Sequence, residues 1–151
     1  MAFGQSRLHE LVARRRLLSD AVIWYESIDG SIKQQILNWI RKDQLTDRGV
    51  DADNDVIGYY SITTSFINPI KKFNTHFTLD DTGSFYKSMF VQVLSDRILI
   101  EANSESYREM QDQDWFTDRI LNLTDENIQL LKAELKTKYI EAVRRVLLGT
   151  R

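Results

Sequence analysis

Apolar residues recur at helical spacing from about Ser6 to Ser27. Leu8, Leu11, Val12, Leu18, Val22 and Tyr25 make one stripe, and the Arg14–Arg16 run lies mostly off it. Asp29-Gly30 interrupts the pattern. Ser31 then offers an N-cap, a side-chain oxygen able to accept an unpaired backbone N–H. The second helix it would start carries Ile32, Ile36, Trp39 and Ile40 on its apolar face and ends near Gln44. From Thr46 to Tyr60 the periodicity dissolves into Asp, Asn and Gly, the composition of an exposed loop. Ser61 to Asn74 fits neither template; Pro69 prevents a continuous element and leaves space for a short helical turn. Period-two patterns follow. Thr75–Leu79 alternates as a strand, and Met89–Leu94 with Arg97–Ala102 predicts a β-hairpin about Ser95-Asp96. Met89, Val91 and Val93 share one face of it, and Ile98, Ile100 and Ala102 another. The polar stretch Ser104–Thr117 is expected to be a loop pinned by Tyr107, Trp115 and Phe116.

The last element has the fullest set of helix signals. Thr124 caps it, Asp125 and Glu126 occupy the first turn, Arg144 and Arg145 the last, and Gly149 stops it. Ile128, Leu131, Leu135, Tyr139, Ala142 and Val146 form its stripe, but Leu130, Ile140, Leu147 and Leu148 fall outside. A helix apolar on more than one side needs more than one packing partner. Those four residues are therefore candidates for contact with another subunit. The order of elements predicts an α+β fold, a small antiparallel sheet packed with N-terminal helices and a long C-terminal helix. It reads as a single domain over 1–151: an N-terminal helical region at about 6–44, a loop at 45–74, a sheet region at 75–102 and a C-terminal helical region at 103–149.

Composition supports a packed core, with 42% hydrophobic and 11% aromatic residues in 151. No apolar run nears the roughly 18 residues that cross a bilayer, and the start lacks the apolar segment of a secretory signal. The chain has no cysteine, which excludes disulfides and thiolate metal sites and fits synthesis in a cytosol. A net charge of −2 conceals basic ends (Arg7, Arg14, Arg15 and Arg16; Lys132, Lys136, Lys138, Arg144, Arg145 and Arg151) around an acidic middle. Taken singly, each run reads as a solvated helix face. Together the basic ends and acidic middle could support head-to-tail contacts, and the balance is not that of a nucleic-acid-binding module.

Few constellations carry chemistry. Asp81-Thr82-Gly83 is the aspartic-protease tripeptide, and two such carboxylates sharing a proton in a dimer would activate water. A protease of that kind also needs a glycine-rich flap, and no glycine lies between Ser84 and Leu148. The alternative is a turn, with Asp81 capping and Gly83 supplying a positive φ. Asp51, Asp53 and Asp55 occupy the first three ligand positions of a calcium loop, but Val56 stands where Gly belongs and Ile62 where the bidentate Glu belongs. His9 and His76 have no second ligand at metal spacing. No cofactor is expected.

The run TLDDTGSFYKSMFVQVLSDRILIEA resembles phage tail-completion, neck and virion-morphogenesis proteins, with Leu79, Asp81, Thr82, Gly83, Phe85 and Ser88 at the matching positions. Upstream, Gly49, Asp51, Asp53, Ile57, Gly58, Tyr60, Ser61 and Thr64 fit a G-x-D-x-D-G-x-x-I-G-x-Y-S-x-x-T stretch of related proteins in phages and prophages of Bacteroidetes. ILNLTDENIQLL resembles the start of their last helix. The sequence departs from the pattern at Asn54-Asp55, where a Gly is frequent, and at Phe66–Ile70, where many relatives are lysine-rich. The resemblance implies a structural virion protein with no enzymatic activity. Such a protein is assembled in the host cytoplasm and forms a homo-oligomeric ring at the head–tail junction. Its partners would be other connector, portal or tail proteins and passing DNA bound without specificity, with no membrane. On that expectation the Asp51, Asp53 and Asp55 loop projects to a neighbouring ring or lines the DNA channel.

Overall fold

The structure is a computed structural model that describes residues 20–148. Arg7, His9, the Arg14–Arg16 run, the Leu8–Leu18 part of the first stripe, Gly149 and Arg151 lie outside the described residues. Helix α1 spans Asp20–Ser27 and α2 spans Gly30–Asn38. The cap of α2 is Asp29, not Ser31: its carboxylate accepts the Ile32 N–H at 3.0 Å, which holds its pKa below the ordinary carboxylate value. Asp29 also meets Lys138 at 3.2 Å.

The second helix does not stop at Gln44. It continues without a break as a π-helix, Trp39–Arg48, and ends at Gly49 in the left-handed conformation (φ 62°). Hydrogen bonds from i to i+5 lengthen the helical repeat, so residues four and five apart share a face. Ile40, Gln44 and Leu45 have that spacing, and all three are buried. A search for the 3.6-residue repeat loses the helix where its period changes.

Two further short helices follow, α3 (Ile62–Ile67) and α4 (Ser84–Ser88). The sheet is the hairpin alone: β1 (Met89–Val93) pairs antiparallel with β2 (Ile98–Ala102), Val91 opposite Ile100. Met89 and Val91 are buried, and Val93, Ile98, Ile100 and Ala102 pack against the same core, as the alternation required. Thr75–Leu79 is not a strand. It contributes one isolated bridge, Tyr59 to His76, and Leu79 turns the chain with φ 57°. Ser104–Thr117 is not all loop either, since Glu105–Gln111 is helix α5, capped by the Ser104 hydroxyl on the Tyr107 N–H at 3.1 Å. A 3₁₀ turn, Asp118–Leu121, precedes α6 (Asp125–Leu148).

The fold is thus α+β, with helices and the two-stranded sheet around one buried cluster. Ile32, Ile36, Ile40, Leu45, Phe85 and Ile120 stand at its centre. Leu131 and Ala142 of α6 are buried and Ile128 and Leu135 partly so, while Tyr139 from the predicted stripe is 45% exposed. Thr124 caps α6 as expected, its hydroxyl accepting the Asn127 N–H.

Candidate functional site

The residues Ile62 to Phe73 form an arm that stands away from the core. No residue of α3 is buried; Phe66 and Ile67 are each 81% exposed and Ile70 89%, with Ile62 and Phe73 also exposed. The arm is nonetheless held in place. Ser61 caps α3, its hydroxyl accepting the Thr64 N–H at 3.2 Å, and the Asn68 N–H closes the helix on Thr64 O at 2.9 Å. At its root the Tyr60 N–H donates to Thr75 O (2.9 Å) and the Asn74 N–H returns to Tyr60 O (3.0 Å). Lys71 Nζ lies 2.9 Å from Asp81 and 5.8 Å from the Tyr60 ring centroid.

Behind the root is an aromatic stack. Phe77 sits 5.0 Å from Tyr60 and 5.3 Å from Trp115, ring to ring. Tyr60, Lys71, Phe77, Asp81, Met110 and Trp115 line a small pocket of about 190 Å³ there. Two glycines permit the close approach. A Cβ on Gly58 would come 2.5 Å from the Phe77 ring, and one on Gly49 would come 2.3 Å from His76. His76 donates its Nε2–H to Thr46 O at 2.9 Å, so it fastens the arm's return segment to the π-helix.

The acidic loop is folded against the body and does not project from it. Asp51 is buried, and its Oδ1 accepts the N–H groups of Asp53 (2.9 Å) and Asp55 (3.1 Å), the local turn that short acidic side chains favour. Asp53 pairs with Arg119 at 2.8 Å. Asn54, with φ 64°, accepts from Arg48 and donates to Glu126, whose acidity is strengthened first by that hydrogen bond. The Asp51 carboxylate is turned onto its own loop and that of Asp53 onto Arg119, while Asp55 is exposed. Among the described residues no cluster of three metal-ligating side chains occurs.

Asp81-Thr82-Gly83 is a turn. Gly83 takes the expected positive φ (76°), Thr82 Oγ1 accepts the Ser84 N–H at 3.3 Å, and Asp81 pairs with Lys71 where a cap on the backbone was expected. The other interface candidates stand where the pattern put them: Leu130, Ile140 and Leu148 are exposed on α6, and Leu147 is half-buried.

Tyr86 joins the turn to the loop, its hydroxyl donating to Thr78 O. Burial pushes the phenol up from 10.0 to about 12. The folded chain therefore keeps a proton that the unfolded chain releases. That stabilisation is complete below pH about 10 and is lost as pH rises through about 12. Tyr86→Phe should flatten the fall of Tm across this window. An equally steep fall in the variant would assign the alkaline loss to other groups.

Sequence reasoning missed the arm because Ser61–Asn74 has no periodicity to read. The one signal was compositional: Ile62, Phe66, Ile67, Ile70 and Phe73 fall in a stretch with no acidic residue between Val56 and Leu79. Comparison with known proteins finds no matching family model, curated protein or solved structure.

Proposed function

We propose that this chain is a non-enzymatic assembly subunit, a ring-forming component of the head–tail connector of a tailed phage. The observation that carries the assembly reading is the arm. Large apolar side chains fixed in solvent on an ordered root serve no purpose for the isolated fold, and contiguous apolar exposure marks association surfaces. Leu130, Ile140 and Leu148 on α6 supply a second apolar surface. The phage setting is supported by the sequence resemblance at 49–64 and 79–102. The motif residues of that resemblance have folding roles: Gly49 ends the π-helix, Asp51 organises its loop, Gly58 admits Phe77 and Ser61 caps α3. They shape and root the arm.

On this reading the chain works in the virion at the neck or tail top, beside portal or tail proteins. No helix among the described residues is long and apolar enough to cross a membrane. The protease alternative is weakened by the Lys71–Asp81 pair, which occupies the carboxylate that would have to share a proton. Native mass spectrometry and electron microscopy of the full chain and of particles test the proposal. Discrete rings and a high copy number in virions are expected. A stable monomer absent from particles overturns it in favour of a non-enzymatic adaptor domain, and a dimer whose peptidase activity disappears with Asp81→Asn overturns it in favour of the protease.

A further inference from the structure

We propose that the Ile62–Phe73 arm of one copy seats in the groove between β2 and the 3₁₀ turn of the next copy. This rests on the assembly reading and names the contact that would carry it. The groove, about 530 Å³, has Phe90, Leu99, Tyr107 and Leu121 as apolar lining and Glu101 and Asp118 as its carboxylates. Neither carboxylate has an ion-pair partner among the described residues. Their field is felt inside the groove: the Tyr107 phenol is pushed up first by burial, then by Asp118 and Glu101.

The arm is complementary in both respects. Phe66, Ile67, Ile70 and Phe73 are its exposed apolar set, and Lys72 among them is exposed and also lacks an ion-pair partner among the described residues. Lys71, by contrast, is spent on Asp81. Charge separates this groove from the concavity beside Tyr25 and Ile28, which carries Lys33 and would repel Lys72. The one lined by Ile36, Ile98, Ile100 and Leu123 offers no carboxylate, and in the one beside Trp39 and Leu130 Asp43 is paired with Arg48 and Glu126 is held by Asn54. No arm residue lines the acidic groove of its own chain, so occupancy requires a second copy. Arm and groove are different patches, which makes the contact heterologous and able to close into a ring.

The absence of native cysteine makes the test clean. In the full-length chain, Ile70→Cys and Leu99→Cys together, treated with a short bis-maleimide, should give a ladder of covalent multimers, and each single variant at most a dimer. Lys72→Glu and Asp118→Lys should each weaken self-association by about tenfold, and the two combined should restore it. Arm substitutions at positions this exposed leave the fold intact, which circular dichroism checks. Rings that persist without the ladder, or a double charge reversal no better than the singles, overturn the arm-in-groove contact while leaving the connector reading in place. A chain that stays monomeric at every concentration overturns both.

Discussion

Replacing Gln44 by Met should cost about 3–5 kcal/mol of folding stability, read as a fall in the urea midpoint at unchanged slope. Gln44 is fully buried, and each end of its amide is used. Oε1 accepts the Thr124 N–H and the Asn127 side-chain amide, both at 3.0 Å, and Nε2 donates to Asn122 O at 2.8 Å. Asn127 also donates to Asp43 Oδ2 (2.9 Å), which holds Arg48 at 2.8 Å. One side chain of the π-helix therefore satisfies the start of the last helix. Met nearly conserves volume, so the loss isolates the hydrogen bonds, and each buried polar group left unpaired costs about 1–3 kcal/mol. A loss below about 1 kcal/mol would mean that water enters and replaces the amide.

Gly49→Ala is the second large effect, at about 3 kcal/mol or more. Gly49 has φ 62°, a conformation in which a Cβ is strained, and that Cβ would sit 2.3 Å from the His76 ring. Moving His76 breaks its bond to Thr46 O and its bridge to Tyr59, the fastenings of the arm's return segment. Self-association should therefore weaken along with stability. His76→Gly in the same chain removes both the ring and the Cβ, which would lie 2.6 Å from the added methyl. It should recover the part of the loss due to collision, leaving the backbone strain of about 1–2 kcal/mol and the lost His76 bond to Thr46 O. No recovery in the double variant would show that the collision is not the cause.

These two residues also mark the limit of what a sequence reader can see. Gln44 looked like the frayed polar end of a helix because the 3.6-residue template stops matching at that point. Its burial is decided by residues about 80 positions away. Glu105–Gln111 was hidden for a related reason: a helix of seven residues, with only Tyr107 and Met110 turned toward the core, shows too little periodicity. Thr75–Leu79 failed in the opposite sense, because alternation without a partner strand makes no sheet.

By itself the sequence determined the local features, those set by near neighbours. They are the hairpin and its faces, the Thr124 cap and first turn of α6, the positive φ at Gly83 and the surplus of apolar residues on α6 at Leu130, Ile140 and Leu148. Their causes act within a few residues, through alternation, capping and backbone sterics. Only the tertiary structure decided that Asp51 is buried and its loop held against the body, that Asp81 is held by Lys71, and that Ile62–Phe73 stands in solvent on a hydrogen-bonded root. Burial and pairing of that kind depend on contacts between segments far apart in the chain. No local pattern of hydrophobic and polar positions encodes them.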